Sequence, residues 1–333
     1  MNPVLDSLPI LVLYPHSRCN CRCVMCDIWK TDTAEEIGDA ELDRHLDEIA
    51  GLRVEWIVFS GGEPLMHSDL FRLANVARDR GIRTTMLTTG LLLSRHARRI
   101  VESIDDVIIS LDGPPDVHDA IRRVPGAYRQ MSAGVCALGS EFPVSARCTV
   151  QRGNLARLRE TVEAARDLSL RSISFLAADV SSTAFNRSEA WSAKRQAMVA
   201  PAADEIPKLE AEIEALIDQE SGKGFVRETP EKLRRIVNHF RAYHGIAEAA
   251  APRCNAPWVS VVLETDGTVR PCFFHLPIGN VKTQNLAEVI NGPRAIAFRS
   301  ALRVEENPVC RRCVCSLYRH PTRIPDEAGT TNT

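Results

Sequence analysis

Two periods of hydrophobic and polar positions run through the first half of the chain. Short apolar runs with β character lie at Leu8–Tyr14, Trp56–Ser60, Arg83–Thr88, Asp106–Leu111, Pro143–Val150 and Arg171–Ala177. Between them, apolar residues return every three to four positions, the period of a helix packed on one face. These stretches are Asp39–Gly51, Asp69–Arg80, Ser94–Glu102, Gly126–Leu138 and Asn154–Leu168. Gly51, Gly81 and Gly139 stand at or just past helix ends, where a left-handed residue is favoured. Six such units predict an α/β fold with a parallel sheet wrapped by helices, an open or partial (β/α)6 barrel. Reactive groups in such sheets gather at the carboxyl ends of the strands.

Past residue 186 the pattern changes. Asn186–Gly222 reads as helical and acidic towards its end, broken by Pro201 and Pro207, and Ser221–Gly224 reads as a turn. A further helix is expected over Glu231–Ala249, and Thr265-Asp266-Gly267-Thr268 is the turn of a β-hairpin. The expected organisation is a core over 1–220, a linker and helix over 221–250, a small β-hairpin and helix domain over 251–320, and a disordered polar tail over 321–333.

Composition narrows the class. With 333 residues, 44% hydrophobic and 25% charged, the chain can bury a sizeable core. A net charge of -2 argues against nucleic acid binding by bulk electrostatics. No apolar window reaches the length of a membrane span, and the Leu8–Leu13 run is too short for a secretory signal. Most of the eleven cysteines are clustered, Cys19 to Cys26 at one end and Cys254 to Cys315 at the other. Clusters with two-residue gaps point to metal ligation in a reducing compartment, and the expected location is the cytoplasm.

Cys19, Cys23 and Cys26 follow the first strand with gaps of three and two residues. Three thiolates so placed can hold three irons of a 4Fe–4S cluster and leave the fourth open. A zinc knuckle is the alternative, with His16 as a fourth ligand. Cys21 lies outside the three-ligand spacing and reads as an accessory thiol. Ser60-Gly61-Gly62-Glu63-Pro64 follows the second strand, where glycines admit close backbone approach and Glu63 can accept from an ammonium group. Together these motifs resemble the radical S-adenosylmethionine (SAM) enzymes. The resemblance implies a SAM-binding 4Fe–4S cluster on Cys19, Cys23 and Cys26, with Gly61, Gly62 and Glu63 at the SAM amino group and Met25 beside the adenine. It also places Ser110 and Asp112 near SAM, and implies Arg122 or Arg147 as the partner of its carboxylate.

Cys254, Gly267, Cys272, Cys310 and Cys313 carry a second likeness, to the twitch form of the SPASM domain. It implies an auxiliary 4Fe–4S cluster on Cys254, Cys272, Cys310 and Cys313, with Cys315 as a substitute ligand or free thiol. A structural zinc ribbon is the alternative. A flavodoxin- or ferredoxin-type electron donor is implied as partner. The expected reaction is reductive cleavage of SAM to a 5′-deoxyadenosyl radical, which abstracts hydrogen from a small carbohydrate-like substrate. Oxidation, epimerisation and decarboxylation are the expected outcomes. A peptide-modifying maturase is the catalytic alternative, and an Fe–S electron carrier or a zinc-stabilised binding protein the alternatives outside catalysis. Cys136, Cys148 and Cys315 are the candidate hydrogen-donating thiols, and Asp179 and Arg187 the candidate substrate-facing residues.

Overall fold

In the computed structural model, which describes residues 1–187 and 189–320, β1 (Ile10–Leu13) pairs in parallel with β2 (Trp56–Phe59). The series continues in parallel through β3 (Arg83–Thr88), β4 (Asp106–Ser110), β5 (Val144–Val150) and β6 (Ile173–Ala177). Between the strands run α1 (Asp39–Glu48), α2 (Leu70–Asp79), α3 (Leu93–Ser103), α4 (Pro115–Arg122), α5 (Ala127–Leu138) and α6 (Leu158–Asp167). Every loop after these six strands therefore opens at the same end of the sheet.

The strands alternate because one face packs on helices and the other lines an open interior. In β2, Ile57 and Phe59 are buried against the helical layer, while Trp56 and Val58 line the interior. In β5, Ala146, Cys148 and Val150 are buried and Arg147 projects into the cavity.

After β6 come α7 (Ala193–Val199), α8 (Ile206–Glu220) and α9 (Pro230–Tyr243), then α10 (Ala256–Val259) and β7 (Ser260–Leu263). The C-terminal hairpin was expected as an appended unit. Instead β7 pairs in parallel with β1, Ile10 opposite Ser260, and β8 (Thr268–Arg270) and β9 (Gly279–Asn280) extend the same sheet antiparallel. One nine-stranded sheet results, in the order β6-β5-β4-β3-β2-β1-β7-β8-β9. The cysteines at 254–315 thereby share a wall with the barrel interior. Helices α11 (Leu286–Asn291), α12 (Pro293–Ala301) and α13 (Pro308–Arg311) complete the described fold. The tail expected at 321–333 lies outside the described residues, as does Ser188. No described helix is long and apolar enough to cross a membrane.

Candidate active site

The loop after β1 carries Cys19, Cys23 and Cys26 and is fixed from below by the end of α4. Arg22 N–H donates to the Arg122 carbonyl at 3.1 Å and Val24 N–H to the Ile121 carbonyl at 3.0 Å. Burial pushes the Cys19 and Cys26 thiols up. Cys23 is drawn down to about 6, first by a hydrogen bond from the Cys21 thiol, with Arg122 adding its charge. Arg122 Nη1 lies 3.5 Å from Cys23 Sγ. The accessory thiol of Cys21 thus has a place, beside the Cys23 sulfur.

The turn after β2 is stitched to this loop. Glu63 N–H donates to the Arg18 carbonyl at 2.8 Å. A Cβ on Gly62 would stand 2.1 Å from that same carbonyl oxygen, and one on Gly61, whose φ is +89°, would strike the Tyr14 ring. Only glycine lets the two loops lie this close. Glu63 is wholly buried, and burial raises its pKa against the pull of the hydrogen bonds it accepts. Its oxygens accept from Thr88 Oγ1 at 2.8 Å, from Thr89 N–H and Oγ1 at 2.7 Å each, and from Leu65 N–H at 3.1 Å. Those four donors match the acceptor capacity of a carboxylate, so an ammonium group would share or displace a threonine hydroxyl. The Thr88-Thr89 pair at the end of β3 holds Glu63 in place.

Register sets Ser110, Arg147 and Ser174 side by side across β4, β5 and β6. Arg147 Nε lies 3.4 Å from Ser174 Oγ, and among the described residues Arg147 has no salt-bridge partner. Arg122, by contrast, is buried with its Nη2 2.6 Å from Asp112 Oδ2. Of the two arginines expected at a SAM carboxylate, Arg147 is the one without a carboxylate of its own. Met25 is half-buried against the core, and its carbonyl accepts from Arg187 Nη2 at 3.3 Å.

Asp179 and Arg187, expected to face substrate, face each other instead. Their side chains are 2% and 1% exposed and 2.6 Å apart. The segment they belong to straps the cluster loop. Trp191 Nε1 donates to Asp27 Oδ2 at 2.6 Å, Arg195 Nη2 to the Val24 carbonyl at 2.6 Å, and the Arg187 guanidinium lies 3.7 Å from the Trp191 ring centre.

The second cysteine set lines a cavity of about 310 Å³ together with the inner barrel face. Cys254, Cys272, Cys310, Cys313 and Cys315 all reach it, with His275 Nε2 3.3 Å from Cys310 Sγ. Helix α9 adds Lys232, Arg235 and His239, and Arg235 Nη2 donates to the Cys313 carbonyl. Asn307 positions Cys310 by capping α13 through the N–H groups of Val309 and Cys310. Among the described residues, no three His, Cys, Asp or Glu side chains converge on a point for a single metal ion.

Of the three expected hydrogen-donating thiols, only Cys315 lines the cavity. Cys136 is exposed on α5, outside the barrel. Cys148 alternates onto the buried helix-facing side of β5, with Asn154 Nδ2 3.5 Å from its sulfur.

The donor chemistry fits the implied groups. Three thiols share one short loop, a glycine cradle adjoins it, and Arg122 Nε, Arg187 Nε and Asn20 Nδ2 are buried without an acceptor among the described residues.

Residues 13–176 match the radical SAM superfamily, and residues 254–314 match SPASM, an iron–sulfur cluster-binding domain. The AdoMet-dependent heme synthase of Methanosarcina barkeri is 33% identical over 159 residues, 45% of this chain and 45% of its own. The PqqA peptide cyclase of Ruegeria pomeroyi is 26% identical over 310 residues, 89% of this chain and 77% of its own. The chain spans less than half the length of the first curated relatives it matches. The fold is shared with Streptococcus suis SuiB bound to the precursor peptide SuiA, at a TM-score of 0.64 and 14% identity over 95% of this chain and 73% of that one. It is shared also with anSMEcpe bound to AdoMet and a peptide, at 0.64 and 18% over 87% and 81%.

Proposed function

The chain belongs to the radical SAM superfamily and carries a C-terminal SPASM domain, and on that footing we propose that it is a maturase acting on a peptide. The observation that carries this reading is the extent of similarity. Likeness to the PqqA peptide cyclase extends over 89% of this chain, whereas likeness to the heme synthase covers 45% of it. The carbohydrate substrate expected from the sequence finds no support among these relatives, which are heme synthases and peptide cyclases by name.

When bound, the open cluster and SAM supply a 5′-deoxyadenosyl radical able to remove one substrate hydrogen. The protein's own part is placement. Cys19, Cys23 and Cys26 would hold that cluster, and Glu63, fixed by Thr88 and Thr89, would orient the SAM amino group. Arg147, beside Ser110 and Ser174, would take the SAM carboxylate. The inner face adds Ile10, Val12, Val58, Leu87 and Ile108 as an apolar wall among the polar side chains of the cavity. Cys254, Cys272, Cys310 and Cys313 would hold the auxiliary cluster at the wall of the cavity that Arg147 also lines.

The test is to incubate anaerobically reconstituted enzyme, SAM and dithionite with synthetic short peptides encoded beside its gene. Peptide mass change in step with 5′-deoxyadenosine supports the reading. Turnover of an iron porphyrin precursor, with every peptide untouched, would replace it by a macrocycle enzyme.

A further inference from the structure

Two buried aspartate–arginine pairs bracket the thiols of the first cluster loop, and they come from different elements. Asp112 Oδ2 and Arg122 Nη2 are 2.6 Å apart with side chains 0% and 7% exposed. Asp179 Oδ2 and Arg187 Nη1 stand at the same 2.6 Å separation in a setting as deeply buried. Arg122 closes α4 and lies against Cys23 Sγ. Arg187 follows β6 and reaches the carbonyl of Met25, the residue before Cys26, whose thiol feels its charge. In each guanidinium the Nε–H is buried without an acceptor among the described residues.

Reducing an iron–sulfur cluster adds negative charge, so a cation nearby favours the reduced state. The effect grows where water is excluded. Net charge and hydrogen bonds to the sulfurs are the levers a protein holds over a cluster's potential. A buried guanidinium without a counter-ion would itself be strongly destabilising, which gives each aspartate its place. A purely structural ion pair would be indifferent to its distance from the thiols, yet the arginines of both pairs reach the same short loop.

We propose that Asp112–Arg122 and Asp179–Arg187 set the reduction potential of the SAM-binding cluster, the guanidinium groups raising it and the carboxylates limiting the rise. The inference rests on Cys19, Cys23 and Cys26 as cluster ligands and is independent of which substrate the barrel takes.

The proposal predicts opposite signs within a pair. In EPR-monitored redox titrations of the reconstituted protein, the signal altered by adding SAM identifies the first cluster. Arg122→Gln and Arg187→Gln should make its midpoint more negative, and Asp112→Asn and Asp179→Asn more positive. Each change should shift the reduced-to-oxidised ratio at fixed potential by about tenfold, 59 mV for a one-electron couple. The auxiliary midpoint should stay in place. Arg122→Lys, which keeps the charge, should restore most of the shift. Should one pair's variants fail to hold iron, the other pair carries the same two-signed prediction. Unmoved midpoints in iron-replete variants, or movement in one direction for arginine and aspartate variants alike, would overturn the proposal. Because titration needs no substrate, a failed peptide assay leaves this result standing.

Discussion

Gly62 shows how a single residue position decides the site. Its absent side chain lets the Arg18 carbonyl come within the space a methyl would fill, 2.1 Å from where that methyl would stand. Gly62→Ala must push the turn away from the cluster loop and carry Glu63 with it. Misplacing a reacting group by about 1 Å can cost about 100-fold in rate, and a loss of that order is expected in 5′-deoxyadenosine formation. Iron content should be little changed, since no cysteine lies on the turn that carries Gly62. The Cys19–Cys26 spacing and the Gly-Gly-Glu-Pro turn were legible in the sequence because each is a local motif in which order along the chain equals order in space. The partners of Glu63 were not, because Thr88 and Thr89 look like any strand end until β3 is placed beside β2. Asp179 and Arg187 misled for a related reason. Eight residues apart in a polar segment, they read as two free charges, and only the fold turns them onto each other.

At the scale of elements, the six parallel strands were legible because apolar runs and amphipathic helices alternate cleanly. Helix α4 was not, since Gly113-Pro114-Pro115 reads as a turn. Yet proline at the first helical position is pre-organised for a helix start, and this helix carries His118 and Arg122 beneath the cluster loop. The parallel pairing of β7 with β1 also escaped, because some 250 residues of chain separate partners whose own patterns name no neighbour. The strap from Asp179 to Arg195 has a testable consequence. Trp191 is buried, bonds Asp27 and supports the Arg187 guanidinium on its ring. Trp191→Ala should weaken this region by about 3 kcal/mol, at the low end for a buried Trp-to-Ala truncation. The first cluster should be lost preferentially, so that iron per chain after reconstitution falls towards the content of the auxiliary cluster alone. Equal loss from both clusters would show that the strap serves the whole fold.

For the whole molecule, two buried histidines tie stability to pH. His118 accepts the Asp112 N–H at 3.3 Å and is lowered to about 3, by burial first and Arg122 second. Burial likewise lowers His239 to about 4. Both folded-state values lie below that of an unfolded histidine, so the unfolded chain takes up protons first as pH falls. Stability from these groups is complete above about pH 6.5 and is lost as pH falls towards 4, His118 continuing towards 3. Each imidazole should contribute a slope of about 1.4 kcal/mol per pH unit inside that window. Denaturant midpoints of the metal-free protein between pH 7 and pH 4 would show the contribution of His118 as a shallower slope in the His118→Asn variant than in the parent chain. The continuity of the nine-stranded sheet adds a second consequence. Because β7 is hydrogen-bonded to β1, the two cysteine sets belong to one folded body, the second set lining the cavity that Arg147 also faces.

The central claim, that the thiols at 19, 23 and 26 hold an open cluster at which SAM is cleaved, is met most directly by one assay. Anaerobically reconstituted protein and its Cys23→Ala variant are given SAM and dithionite, and 5′-deoxyadenosine is measured beside iron content. Product is expected from the parent chain and none from the variant, whose auxiliary cluster remains. Iron-replete parent protein that forms no 5′-deoxyadenosine even with its peptide, or a variant that forms as much, would contradict it.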